Sequence, residues 1–325
     1  MSITHLHFAS VATAEPTLSR ARGRAVTALT FERAALITLG LLWLVVVTGG
    51  LVRLTASGLG CPHWPTCEAH SFVPSTGYHS VIEFSNRVIS GIAMVAAVIT
   101  AGIAFRTPGL QRAVAWGAAA AAAGTVAQVP LGAITVAFDL NPLLVMSHFL
   151  LAMAVVAVAT WVTFHAVDRA HGGGREQLVW TRPALLGAAA VVLCLALVTT
   201  GAFVTAAGPH AGATDRPIER FGDFYDATWV HVRAAVSFAT VFLILAVVLW
   251  RTARGSLAQR LSVAGVVLTL CQLAVGEYQY RNGLPWEVIA VHVAIAGTLV
   301  MTIVTVASLV AYPSASRAVG SLERG

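Results

Sequence analysis

Three histidines, one asparagine, one carboxylate and two cysteines are the residues whose types and spacing could do chemistry in this chain. His148, His231 and His292 lie inside long apolar runs, where an ionisable side chain is costly and reads as functional by default. His231 precedes His292 by 61 residues, and counting back 62 from His148 lands on Asn86, so Asn86 stands where a fourth histidine would complete a second pair. Two neutral imidazoles on different helices of one bundle can approach a flat metal macrocycle from opposite faces as axial ligands. No cysteine or methionine stands where it would replace His231 or His292. The plainer alternative is that these histidines only hydrogen-bond between helices, as polar side chains in membranes commonly do.

Glu83 precedes Asn86 by three positions, so the two share a helix face. A carboxylate beside a hydrophobic ring site can take or lend a proton, or stabilise a developing positive charge. It can equally be an exposed acid near a helix N-terminus, favoured there by the macrodipole. Arg53, Arg87 and Arg233 fall at the same level and suit either the anionic substituents of a macrocycle or snorkelling to headgroups. Glu277 has no matching partner in the first half and reads as interfacial or as a contact to such substituents. Cys61 and Cys67 frame the segment CPHWPTC. An oxidising compartment would permit a disulfide there, and a metal site is the lesser reading because His63 sits too close for a complete tetrahedral set. Cys194 and Cys271 fall within apolar runs and read as small packing residues.

Long helices must position these groups. The chain is 57% hydrophobic and 10% charged, less than half the charged share of a soluble domain. Gaps between charged residues predict eight spans, near 34–55, 81–104, 113–136, 143–166, 183–206, 227–250, 260–279 and 287–311. The first apolar run begins only after residue 33 and lacks a small-residue cleavage site, which favours a retained helix over a removable signal. Arginines recur in alternate connections: Arg20, Arg22, Arg24 and Arg33; Arg106 and Arg112; Arg169, Arg175 and Arg182; Arg251, Arg254 and Arg260. That asymmetry predicts both termini on the cytoplasmic side. The net charge of +6 is then a topology signal with no case for nucleic acid, since the arginines form no single stripe. Helices two, four, six and eight then enter from the outer side and carry Asn86, His148, His231 and His292 within about two turns of it.

An internal repeat organises the whole. Gln128 and Gln272 are 144 positions apart, each followed four residues later by glycine, Gly132 and Gly276, and 20 residues later by His148 and His292. Pro142 and Pro285 open the histidine helices, and TGGLVRLTASG from Thr48 is echoed by TGAFVTAAG from Thr200. The expected fold is therefore an all-α integral membrane protein of two tandem, pseudo-symmetric four-helix bundles. Its expected divisions are a cytoplasmic tail (1–33), an N-terminal bundle (34–166), a linker (167–182), a C-terminal bundle (183–311) and a second tail (312–325). Neither half shows the paired, broken short spans of transporter sites.

Four segments, GLGCPHWPTC, IEFSNRVISG, QVPLGAITV and LLVMSHFLLA, together resemble the bacterial heme A synthases, over about residues 35–311. The resemblance implies a multi-pass enzyme of the bacterial plasma membrane. Such an enzyme oxidises the C8 methyl of heme O to a formyl group in successive steps with oxygen from water, for heme-copper oxidases. It implies heme b as cofactor, held by residues matching His231 and His292. The substrate heme would sit in the N-terminal bundle, on His148 as iron ligand and with Glu83 as the catalytic carboxylate. Cys61 and Cys67 match a redox-active disulfide near that site, whereas a second loop pair found in some members is absent. The departure is Asn86, where many members have histidine in an E-x-x-H pattern. Two-histidine ligation of the substrate is therefore not expected, although activity is, because the reacting methyl is on the ring edge. His79, seven residues before Asn86, is the alternative sixth ligand, and Arg87 completes the substrate-site residues. Implied partners are heme O, heme O synthase and an electron acceptor such as a quinone, within a lipid bilayer. A diheme b-type electron-transfer protein or a heme carrier would use the same histidines but need neither Glu83 nor the cysteine loop.

Overall fold

The computed structural model describes residues 27–61, 63–64, 66–71, 73–74, 77–173, 177–214 and 217–313. Most of both expected tails, with Arg20, Arg22 and Arg24, lies outside the described residues, as does Arg175. Among the described residues eight helices follow in order: α1 (Ala28–Leu54), α2 (Tyr78–Arg106), α3 (Arg112–Ala137), α4 (Pro142–Ala170), α5 (Arg182–Ala207), α6 (Phe224–Thr252), α7 (Leu257–Arg281) and α8 (Trp286–Ala311). Each is long and apolar enough to cross a membrane. Among the described residues, extended pairing is limited to one bridge between Glu68 and Ser71.

The helices run past most ends of the apolar spans, so that Glu32 and Arg33 belong to α1 and Asp168 and Arg169 to α4. Charged residues are good enough helix formers, and only the hydrocarbon section has to exclude them. Capping groups set several starts. The side chains of Thr27, Thr181, Asp223 and Ser256 accept backbone N–H groups one turn ahead, and Asn141 caps α4 with Pro142 at its first position.

In the first half α1 packs on α2 and α4, and α3 packs on α2 and α4, which closes a ring of four. The second half repeats this, with α5 and α7 each packed on α6 and α8. The halves meet through α4 against α5 and α8, and through α1 against α8. One buried cluster crosses that junction, from Leu42, Met153 and Val156 to Phe238, Phe242, Ile303 and Val306. Trp43 fastens it: its indole N–H points at the Ala294 carbonyl and the Thr298 hydroxyl, 3.3 and 3.2 Å away. Large apolar side chains on the outer faces, Ile37, Ile92, Val192 and Leu270 among them, are exposed, as lipid-facing positions must be.

The α1–α2 and α5–α6 connections lock together at one end of the molecule. The Gly58 N–H donates to the Gly212 carbonyl at 2.8 Å, with Leu140 packed over both. Gly212 holds φ at 104°, a region that glycine enters without a steric cost.

Candidate functional site

The repeat seen in the sequence reappears as repeated geometry. Gln128 Nε2 on α3 donates to the backbone carbonyl of His148 on α4 at 3.1 Å, and Gln272 Nε2 on α7 donates to that of His292 on α8 at 3.0 Å. The spacing of 20 thus has a physical meaning: a mid-membrane carboxamide is satisfied on the backbone of the histidine it accompanies. In both halves the glutamine Oε1 and the histidine Nδ1 are buried without a hydrogen-bond partner. The glycine of each motif makes room for the ring, since a Cβ on Gly132 would lie 3.4 Å from His148 Cε1, and one on Gly276 3.3 Å from His292 Cε1.

The other two positions also correspond. Thr48 on α1 donates to Asn86 Oδ1 on α2 at 2.8 Å, and Thr200 on α5 is 3.1 Å from His231 Nδ1 on α6. Gly49 and Gly201 follow these threonines, and a Cβ at Gly201 would come within 3.0 Å of His231 Cε1. With Nδ1 of His231 facing Thr200, its Nε2 is the nitrogen left for a metal.

Glu83 is buried at 5% exposure rather than solvated at the start of α2. Its Oε2 accepts the Cys61 N–H at 2.7 Å, and its Oε1 accepts from Arg87 at 2.5 Å. Arg87 also donates to the carbonyls of Cys61, His63 and Thr66. Cys61 and Cys67 are joined by a disulfide, so one compact loop is clamped on the carboxylate from two directions. The loop approaches α2 closely at Gly60, where any Cβ would lie 2.5 Å from the His79 backbone. Among the described residues no cluster of three or more histidine, cysteine or acidic side chains is arranged for a metal ion.

Below this loop lies a cavity of about 490 Å³, within the usual range for small-molecule sites. Glu83, Asn86 and Arg87 line it from α2, Gln128 and Gly132 from α3, and His148 from α4. The second half closes it with Ala202 and Thr205 of α5 and Ile289 and Val293 of α8. His79 is not among the lining residues; its Nδ1 lies 3.0 Å from the Ser57 hydroxyl. Arg233 lies over the Trp229 ring, and Glu277 pairs with Arg281 on the exposed surface. Cys194 is buried, whereas Cys271, expected to be buried within its span, is exposed on the outer face of α7.

Arg220, Trp64 and Thr205 line the cavity and escaped the reading of the sequence. Arg220 sits in the α5–α6 connection, where its Nε donates to the Gly208 carbonyl and its terminal nitrogen to the Thr205 carbonyl, both at 2.7 Å. Burial pulls its guanidinium below its ordinary value. It has no counterpart in the first half, so the repeat could not flag it. It meets Arg53 at the Thr205 carbonyl, to which both donate, beside the Gly58 to Gly212 contact of the two connections.

A family model described as cytochrome oxidase assembly protein matches residues 32–304. Among individual relatives, a heme A synthase of Halalkalibacterium halodurans is 25% identical over 272 residues, 80% of this chain and 90% of that protein. A heme A synthase of Bacillus licheniformis is 32% identical over 126 residues, a match that takes in 38% of this chain and only 41% of that protein. A protoheme IX farnesyltransferase of Thermus thermophilus is 43% identical over 58 residues, 17% of this chain and 10% of that protein.

Proposed function

We propose that this chain, which belongs to the cytochrome oxidase assembly protein family, is a heme A synthase that oxidises the C8 methyl of heme O to a formyl group. The observation that carries the reading is the cavity of about 490 Å³ with a buried carboxylate, Glu83, on one wall and the imidazole of His148 on another. Residues 34–166 form the substrate half and residues 183–311 the half that holds heme b. The protein is multi-pass, and we place it in a bacterial plasma membrane with both termini cytoplasmic, on the strength of the alternating arginines.

The second half suits a resident heme. His231 and His292 come from facing helices, Gly201 and Gly276 leave space beside the imidazoles, and Thr200 engages His231 at Nδ1. Bound there, heme b would supply one-electron redox chemistry between the site and an acceptor, for which a quinone is the class a membrane offers.

In the first half His148 holds the substrate iron, while Asn86 and Thr48 offer only a polar contact on the α1–α2 side. Glu83 faces the carbon that loses electrons. The first oxidation converts the methyl and one water to a hydroxymethyl group, releasing two electrons and two protons. The second consumes another water, releases the same numbers and gives a hydrate, which loses water to leave the aldehyde. Glu83 stabilises the positive charge that develops on carbon and accepts a proton from the entering water. Arg87 and the Cys61 N–H hold both carboxylate oxygens, so the group is oriented before the substrate arrives. Heme O synthase is the proposed donor of the substrate, a reading that the likeness to protoheme IX farnesyltransferase supports.

The test is heme extraction and mass analysis from cells expressing this chain with a source of heme O, beside a Glu83→Gln control. Heme A or its hydroxymethyl precursor with the wild type alone is the expected result. Heme B and unchanged heme O in both would turn the reading to an electron-transfer protein or a heme carrier.

A further inference from the structure

We propose that Arg53 and Arg220 form a receptor for two carboxylates, the propionates of the heme substrate, and so limit the ring methyls that can face Glu83 to those beside a propionate. This rests on the reading of the cavity as a heme O site.

The first argument is charge. The ionisable groups on the cavity wall are Glu83, His148, Arg53, Arg87 and Arg220. Glu83 and Arg87 neutralise one another. With His148 neutral, two positive charges remain, and a heme with two ionised propionates carries the complementary two negative ones.

The second argument is that the arrangement is incomplete without an anion. Arg53 and Arg220 donate to a single acceptor, the Thr205 carbonyl, at 2.5 and 2.7 Å, which forces two like charges together. No carboxylate among the described residues pairs with either. Arg53 Nε is buried with no partner at all. Guanidinium forks match carboxylates in two-point geometry, so an entering pair of propionates would satisfy the spare donors and relieve the repulsion.

The third argument is the substrate's own geometry. One propionate and the C8 methyl are substituents of the same pyrrole ring. Anchoring the propionates therefore fixes that methyl to within one ring's width, in the cavity whose wall also carries Glu83. The two methyls on the rings without propionates are held farther away, and the methyl beside the other propionate takes the C8 position only when the ring is turned over. Arg53 belongs to the first half and Arg220 to the second, so the receptor exists only where the two halves meet.

The experiment is an absorbance titration of the purified protein, carrying whatever heme it retains, with heme O and with heme O dimethyl ester. Wild type, Arg53→Gln, Arg220→Gln and His148→Ala are compared. The free acid should bind wild type about 10- to 100-fold more tightly than the ester, the worth of charge-assisted hydrogen bonds. Each glutamine variant should lose most of that preference, the free acid weakening far more than the ester. Equal affinity of wild type for acid and ester, with both lost in His148→Ala, would overturn the receptor and leave the cavity reading standing. Acid and ester titrations unchanged in His148→Ala would overturn the cavity reading, and the receptor with it. The ester arm needs no variant, so a misfolded mutant cannot rescue the proposal.

Discussion

The backbone N–H of Cys61 donates to Glu83 Oε2 at 2.7 Å, which ties the disulfide loop directly to the buried carboxylate of the cavity. The tie is doubled, because Arg87 pairs with Glu83 and also holds the carbonyls of Cys61, His63 and Thr66. Loop conformation and carboxylate orientation are therefore one variable, and the disulfide between Cys61 and Cys67 restrains it.

Opening that disulfide should disorient Glu83. A cross-link between residues six apart removes on the order of 2 kcal/mol of chain entropy from the open loop. Cys67→Ser keeps Cys61 in place and deletes the link. We expect heme A yield to fall several-fold while the heme on His231 and His292 stays, as read by mass analysis and by the heme-to-protein ratio. Full yield in Cys67→Ser would show that Glu83 holds its orientation without the cross-link.

Asn86 takes the place in the first half that His231 takes in the second, each facing a threonine of the preceding helix. Space favours a larger ring at 86, since a Cβ on Gly49 would still be 4.0 Å from Asn86 Oδ1. Asn86→His should convert the bound substrate heme to a six-coordinate, low-spin form, seen in its optical and electron paramagnetic resonance spectra. Asn86→Ala should keep measurable turnover, whereas His148→Ala should lose the substrate heme. Equal loss in the two alanine variants would remove His148 from its assigned role.

The helices were legible in the sequence because the absence of charge over some twenty residues has one physical cause, the hydrocarbon core. Their ends were less so, since Glu32 and Arg33 extend α1 without disturbing its hydrogen bonds. The four-fold correspondence of Gln128, His148, Gln272 and His292 was legible as spacing, and the structure gives it a cause in two equal hydrogen bonds. Arg220 was not legible. It is held by the Gly208 and Thr205 carbonyls at the end of α5, contacts twelve and fifteen residues back that no periodic pattern encodes. Arg87 was visible only as a cation near the right level, and its grip on three loop carbonyls needed the folded loop.

Space beside the imidazoles gives a way to empty one half at a time. A Cβ at Gly201 would lie 3.0 Å from His231 Cε1 and 3.4 Å from Nδ1, so the branched side chain of Gly201→Val must push the ring out of line. Overpacking of this kind costs about 1–3 kcal/mol when the neighbours can shift. The heme-to-protein ratio for the His231 and His292 pair should fall about tenfold, with substrate binding at His148 retained. Gly132→Val should give a milder converse pattern, because its Cβ would already be at contact distance, 3.4 Å from His148 Cε1, and the branched methyls extend beyond it. Loss of both hemes in either variant would mean that the halves do not bind independently.

The seam between the halves can be probed at Gly58. A Cβ there would lie 2.9 Å from Leu140 Cδ1 and 3.0 Å from the Gly212 carbonyl oxygen, so the first neighbour can rotate away and the second cannot. Gly58→Ala should strain the Gly58 to Gly212 hydrogen bond and push the α5–α6 connection, with Arg220, away from Arg53. We expect a loss of about 1–3 kcal/mol in stability, visible as a lower apparent Tm. Leu140→Ala in the same background should recover only part of it, because the carbonyl clash persists. Full recovery would place the strain in the leucine side chain alone and leave the backbone contact without a part in positioning Arg220.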